Sequence, residues 1–190
     1  MEELSVGTYS PKLVLDFWFD PANEELLFAK NDDFDQAIRD QFYEVWVAGC
    51  QGLLYPWRST LYGRLAEIIV LDQFSRNLMR GEARAFAQDS MALILSQEII
   101  KHPDFRYLTP HEKTFALLPL EHSESAGIHE RLAEPLFKAY TDDFTYDYEL
   151  KHKVIIDRFG RYPHRNEILG RPSTIEEIAF YKNPIVAFNN

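Results

Sequence analysis

Apolar side chains along this chain recur every three to four residues, and no segment of strand length alternates strictly between apolar and polar positions. From Asp33 onward Phe34, Ile38, Phe42, Val45 and Trp46 fall at i, i+4, i+8, i+11 and i+12, and the pattern stops at Gly49. This spacing predicts an amphipathic helix with one buried face. Upstream, Ser10-Pro11 opens a short aromatic-rich helix that Asp20-Pro21 ends, a strand being the alternative there. Ser59 or Thr60 caps a helix running to about Arg76, in which Ile68-Ile69-Val70-Leu71 points apolar side chains in every direction. Such a helix belongs in the centre of the core.

The punctuation continues downstream. Asp89 is expected to cap a helix over 90–101 that His102-Pro103 terminates, and Thr109-Pro110-His111-Glu112 reads as a capping box opening a helix to about Ser125, bent at Pro119. Two further helices fall near 127–140 and 144–159, and Ser173-Thr174-Ile175-Glu176 reads as a second capping box before a short last helix. About eight helices with short connections predict a single all-α domain over 1–190, packed as antiparallel pairs.

Composition narrows the class. With 46% hydrophobic and 14% aromatic residues among 190, a chain of this size can bury most of its apolar surface in one core. No apolar run approaches the ~20 residues of a membrane span, so no membrane association is expected. The start, Met1-Glu2-Glu3-Leu4, is acidic where a secretory leader is basic, and Cys50 is the only cysteine; both fit a cytoplasmic protein. A net charge of −10, most of it within the first forty residues, argues against nucleic-acid partners.

Inside this acidic chain the basic groups cluster. Asp72, Arg76 and Arg80 share the spacing Asp-x-Phe-x-Arg-x-x-x-Arg with Asp157, Arg161 and Arg165, and each set follows an apolar helix. One reading is a structural Asp–Arg clasp at each helix end. The other is an anion pocket formed where the two segments meet, lined by Arg76, Arg80, Arg161, His164 and Arg165, because guanidinium groups match carboxylate and phosphate. His122, in line with Phe115 and Leu118, and His152, in line with Ile155 and Phe159, both face the core. With Glu124 or Asp72 as orienting acid, either imidazole could act as a general base. No metal-ligand spacing, phosphate loop or nucleophile elbow is present, so neither metal nor organic cofactor is expected.

The strings Leu71-Asp72-Gln73-Phe74-Ser75-Arg76-Asn77, Leu118-Pro119-Leu120-Glu121-His122-Ser123-Glu124 and Arg158-Phe159-Gly160-Arg161-Tyr162-Pro163-His164-Arg165-Asn166 resemble an uncharacterised bacterial family catalogued as domain of unknown function 924. The chain departs from that pattern at Ser75 (Pro expected), Glu121 (apolar expected) and His129 (Gln expected nearby). The resemblance implies a tetratricopeptide-like helical fold and no particular activity. Two functions remain in view. The first is a helical-repeat-like module holding a peptide or small anionic ligand in the arginine-lined groove. The alternative is a small hydrolase or transferase using His122 or His152 as base, with arginines stabilising an anion. A closed pocket holding both histidines favours the enzyme, an open groove the binder.

Overall fold

A computed structural model describes residues 9–182, so the acidic Met1–Leu4 segment lies outside the described residues. It shows a bundle of helices, without a strand among the described residues. The short aromatic helix forms as α1 (Pro11–Trp18), and the amphipathic stretch forms as α2 (Asp32–Cys50). Helix α3 runs through Leu61–Ile69, a widened π turn at Val70–Phe74, and Ser75–Leu78. There follow α4 (Asp89–Ile99) and α5 (Pro110–Glu121), then α6, which passes from Ala126–Ile128 through a second π turn, His129–Ala133, into Glu134–Tyr140. Helices α7 (Asp143–Phe159) and α8 (Ile175–Tyr181) complete the fold, and short 3-10 turns, among them Pro163–Arg165, connect the helices.

The all-round apolar helix does take the central place. Helix α3 packs on α1, α2, α4 and α5, and Ile68, Ile69, Val70 and Leu71 are all fully buried. Each of these aliphatic side chains contributes roughly 1.5–3 kcal/mol by leaving water. Helix α5 in turn contacts α4, α6 and α7, so it sits between the main core and the carboxy-terminal third. There a small second cluster, Ile155, Ile156, Tyr162 and Phe180, holds the last elements together.

Most caps form where the local chemistry placed them. Thr60 accepts from Gly63 N, and Thr109 with Glu112 closes a reciprocal capping box. Gly160, at φ 67°, ends α7 in the left-handed conformation that favours glycine. Two expectations shift. The second box is Thr174 with Glu177, one residue later than read, because Ser173 accepts instead from Asn166. Asp89 makes no capping bond, since its carboxylate is taken by two arginines from elsewhere in the chain.

Candidate active site

The site starts in the π turn of α3. An extra residue per turn re-aims side chains that a regular helix would distribute differently, and such turns recur at functional positions. All five residues of Val70–Phe74 are buried, Asp72 completely. An isolated carboxylate there would be costly, and this one is fully engaged. Asp72 Oδ1 accepts from His122 Nδ1 at 2.8 Å and pairs with Arg76 at 2.9 Å, while Oδ2 accepts from Gln73 at 2.6 Å. The Asp–Arg clasp read from the sequence therefore exists at Asp72, with His122 from the end of α5 as a further member.

The arginines come with their own acids. Arg76 also binds both oxygens of Asp89 at 3.0 and 3.1 Å, and Arg165 reaches the same carboxylate at 3.0 Å. Arg165 uses its other end to donate to the carbonyl of His122 at 3.1 Å, and its guanidinium lies between the rings of Phe86 and Tyr162. Arg80 holds Asp35 in a two-point contact at 2.7 and 2.9 Å. Three cations thus face three carboxylates.

Between these groups lies a cavity of about 320 Å³. Its lining combines His122, His152, His164, Glu121, Arg76 and Arg165 with the apolar Leu27, Phe28, Phe86, Leu118, Phe144 and Ile168. Because His122 Nδ1 faces a carboxylate, that nitrogen carries the hydrogen and Nε2 keeps the basic lone pair. Among the described residues no hydrogen bond is made to Nε2.

Burial sets the protonation states. It opposes the charge of Asp72, yet Arg76 and His122 overcome it and hold the carboxyl well below its ordinary range. For His122, burial and then the Arg76 charge push the imidazole below its usual value, leaving it neutral near pH 7. Burial lowers His152 to about 3, and burial with Arg165 lowers His164 to about 2. Glu121 moves the other way: burial first, then the neighbouring charges of Glu149 and Asp72, raise its carboxyl well above the usual value.

Of the residues singled out from sequence, Asp72, Arg76, Arg80, His122, His152, His164 and Arg165 converge here, and two do not. Glu124 is clamped by Arg171 at 2.6 and 2.9 Å and accepts from Tyr162 N, which ties the last loops together outside the cavity. Arg161 pairs with Glu177 at 2.6 and 2.9 Å and donates to Pro172 O, while Asp157 takes Lys153 at 2.6 Å. The second Asp–Arg clasp is thereby corrected: one turn beyond Asp157 the chain has already left the helix at Gly160, and Arg161 turns toward α8.

Sequence reasoning missed Glu121 and Asp89 as site residues. The signal for Glu121 was an acid ending the otherwise apolar Leu117-Leu118-Pro119-Leu120 run; Asp89 carried only the signature of a cap. Behind the cavity, His129 donates from Nε2 to Ser123 O at 2.9 Å and meets Glu149 through Nδ1 at 2.8 Å. Tyr162 donates its hydroxyl to the carbonyl of Glu121. Among the described residues no group of three or more histidine, cysteine, aspartate or glutamate side chains is arranged to hold a metal ion, and no helix is long and apolar enough to cross a membrane.

Fold and cavity together define an all-helical protein with an aspartate-backed histidine facing a small-molecule-sized pocket. Residues 14–185 match the model of a family described as bacterial protein of unknown function (DUF924), and the chain belongs to that family. It is similar to the solved structure of protein of unknown function ATU0120 from Agrobacterium tumefaciens, with 31% identity, a TM-score of 0.85, and coverage of 90% of this chain and 96% of that one. No curated protein matches.

Proposed function

We propose that this protein is a hydrolase of small, uncharged, partly apolar esters, with His122 as the general base and Asp72 as the group that orients it. The observation that carries this reading is the 2.8 Å contact between a fully buried carboxylate and His122 Nδ1, which leaves Nε2 as the basic nitrogen of a cavity-lining ring. Hydrogen bonding to Asp72 fixes the tautomer and stabilises the imidazolium that forms when Nε2 takes a proton. Among the described residues lining the cavity there is neither serine nor cysteine, and the threonine hydroxyls are engaged, Thr114 with Pro110 O and Thr145 with Asp142, so this reading takes water as the nucleophile. An uncharged substrate is favoured because Arg76, Arg80 and Arg165 already face Asp35, Asp72 and Asp89, and the apolar lining suits a hydrocarbon portion. The same pairing lowers the support for an anion-binding groove, to which Arg161 contributes nothing.

The test is release of 4-nitrophenol from 4-nitrophenyl butyrate. Wild-type protein should exceed folded His122→Gln by at least about a hundredfold, the usual worth of a positioned base. Equal rates, or no release by the wild type above buffer, would overturn the reading.

A further inference from the structure

Glu121 is the residue of this cavity whose chemistry the base does not explain. It ends α5, stands next to His122, lines the pocket, and is only 4% exposed. Among the described residues its buried Oε2 has no hydrogen-bond partner, and neither oxygen forms an ion pair with a lysine or arginine. The neighbouring donors are directed elsewhere. His152 Nδ1 lies 3.6 Å from Oε1 but donates its hydrogen to Tyr148 O at 2.9 Å, and the Tyr162 hydroxyl goes to the backbone carbonyl of Glu121 rather than to the carboxyl. An ionised carboxylate there would leave Oε2 without a compensating bond, whereas a carboxyl that keeps its hydrogen has one to give, and the cavity that Glu121 lines is where a ligand oxygen can accept it.

We infer that Glu121 is the catalytic acid of this site, giving its carboxyl hydrogen to the departing oxygen of the substrate. This rests on the hydrolase reading above. Water loses a proton to His122 Nε2 as its oxygen bonds to the carbonyl carbon. The bond from that carbon to the alcohol oxygen then breaks, and the Glu121 hydrogen passes to this oxygen. Acid and alcohol leave, His122 is left protonated and Glu121 ionised, and a water molecule returns the proton from one to the other. One water is consumed and both side chains are restored. Burial, reinforced by the charges of Glu149 and Asp72, favours the un-ionised starting state, against the opposing charge of Arg76.

Leaving-group dependence separates the two residues. A 4-nitrophenolate departs without a proton, whereas methoxide needs one. In Glu121→Gln the ratio of methyl butyrate to 4-nitrophenyl butyrate hydrolysis should fall at least about a hundredfold relative to wild type. In His122→Gln both rates should fall together. An unchanged ratio in Glu121→Gln would overturn the proposal while leaving the role of His122 standing; His122→Gln acting at the wild-type rate on both esters would bring down the hydrolase reading itself. An independent readout is the infrared carbonyl stretch of un-ionised carboxyl groups at pH 7. It should be present in wild type, diminished in Glu121→Gln, and retained in part in Glu149→Gln, since burial raises the Glu149 carboxyl as well, whereas Asp72 stays ionised. Absence of the band from the wild-type spectrum, which needs no variant to fold, would overturn the proposal outright.

Discussion

At Asp72 three partners converge on a carboxylate that no water reaches, which makes its removal informative. Asp72→Ala should lower unfolding stability in urea by about 3 kcal/mol, because it strips a buried pair of one member; a loss under about 0.5 kcal/mol would be that of a surface pair. The folded carboxyl titrates below its unfolded value, so this contribution is complete above the ordinary carboxylate range near pH 4 and fades as pH falls below it. Glu121 has the opposite sign. Its folded carboxyl titrates above the unfolded value, so the folded state must hold a proton that the unfolded chain releases, and stability declines as pH rises above about 4.5. Glu121→Gln should therefore be more stable than wild type at pH 7, with the difference closing near pH 4 in the same urea experiment. Neither behaviour is legible from residue type. Asp72 announced itself by its spacing to Arg76 and Arg80, but its pairing with His122 spans fifty positions, and no local spacing encodes that.

Helices were the most legible level, because their signals are local: a 3.6-residue apolar period, Thr at a cap, Gly160 after a last turn. What the period could not show was the π turn of α3, since one extra residue leaves a wholly apolar run looking the same. Close approach of elements was equally hidden. Gly63 in the first turn of α3 lies so tightly on the turn Tyr55–Ser59 that an added Cβ would stand 1.9 Å from Trp57 O. Because the obstacle is backbone, Gly63→Ala should cost about 3 kcal/mol or more in thermal unfolding, although alanine is the better helix former. A change below about 0.5 kcal/mol would mean that helix and turn are not packed as described.

For the molecule as a whole, the buried histidines and glutamates set competing proton balances. His152 and His164 remain neutral in the folded state down to about pH 3 and about 2, while the unfolded chain charges them below about 6.5. Each therefore costs up to roughly 1.4 kcal/mol of stability per pH unit as pH falls through that window. His122, also lowered, adds to this loss, and between about 4.5 and 6.5 the raised carboxyls of Glu121 and Glu149 offset part of it, because they hold protons that the unfolded chain has lost. Urea midpoints measured across pH should thus change only gently at about pH 4.5–6.5 and fall steeply below it, and His152→Gln should make that fall shallower. A maximum at pH 8 would contradict the proton assignments. The architecture has one more implication, concerning time. Arg165 braces the carbonyl of His122 across 43 positions and grips Asp89 across 76. A ribosome adding ~5–20 residues per second delivers Arg165 some seconds after His122. During that interval the nascent chain already contains the proposed base and the acid behind it, but the wall that the turn Pro163–Arg165 supplies has yet to arrive. A complete cavity, and with it the proposed chemistry, is therefore a late event in the life of each molecule, reached when its last third docks.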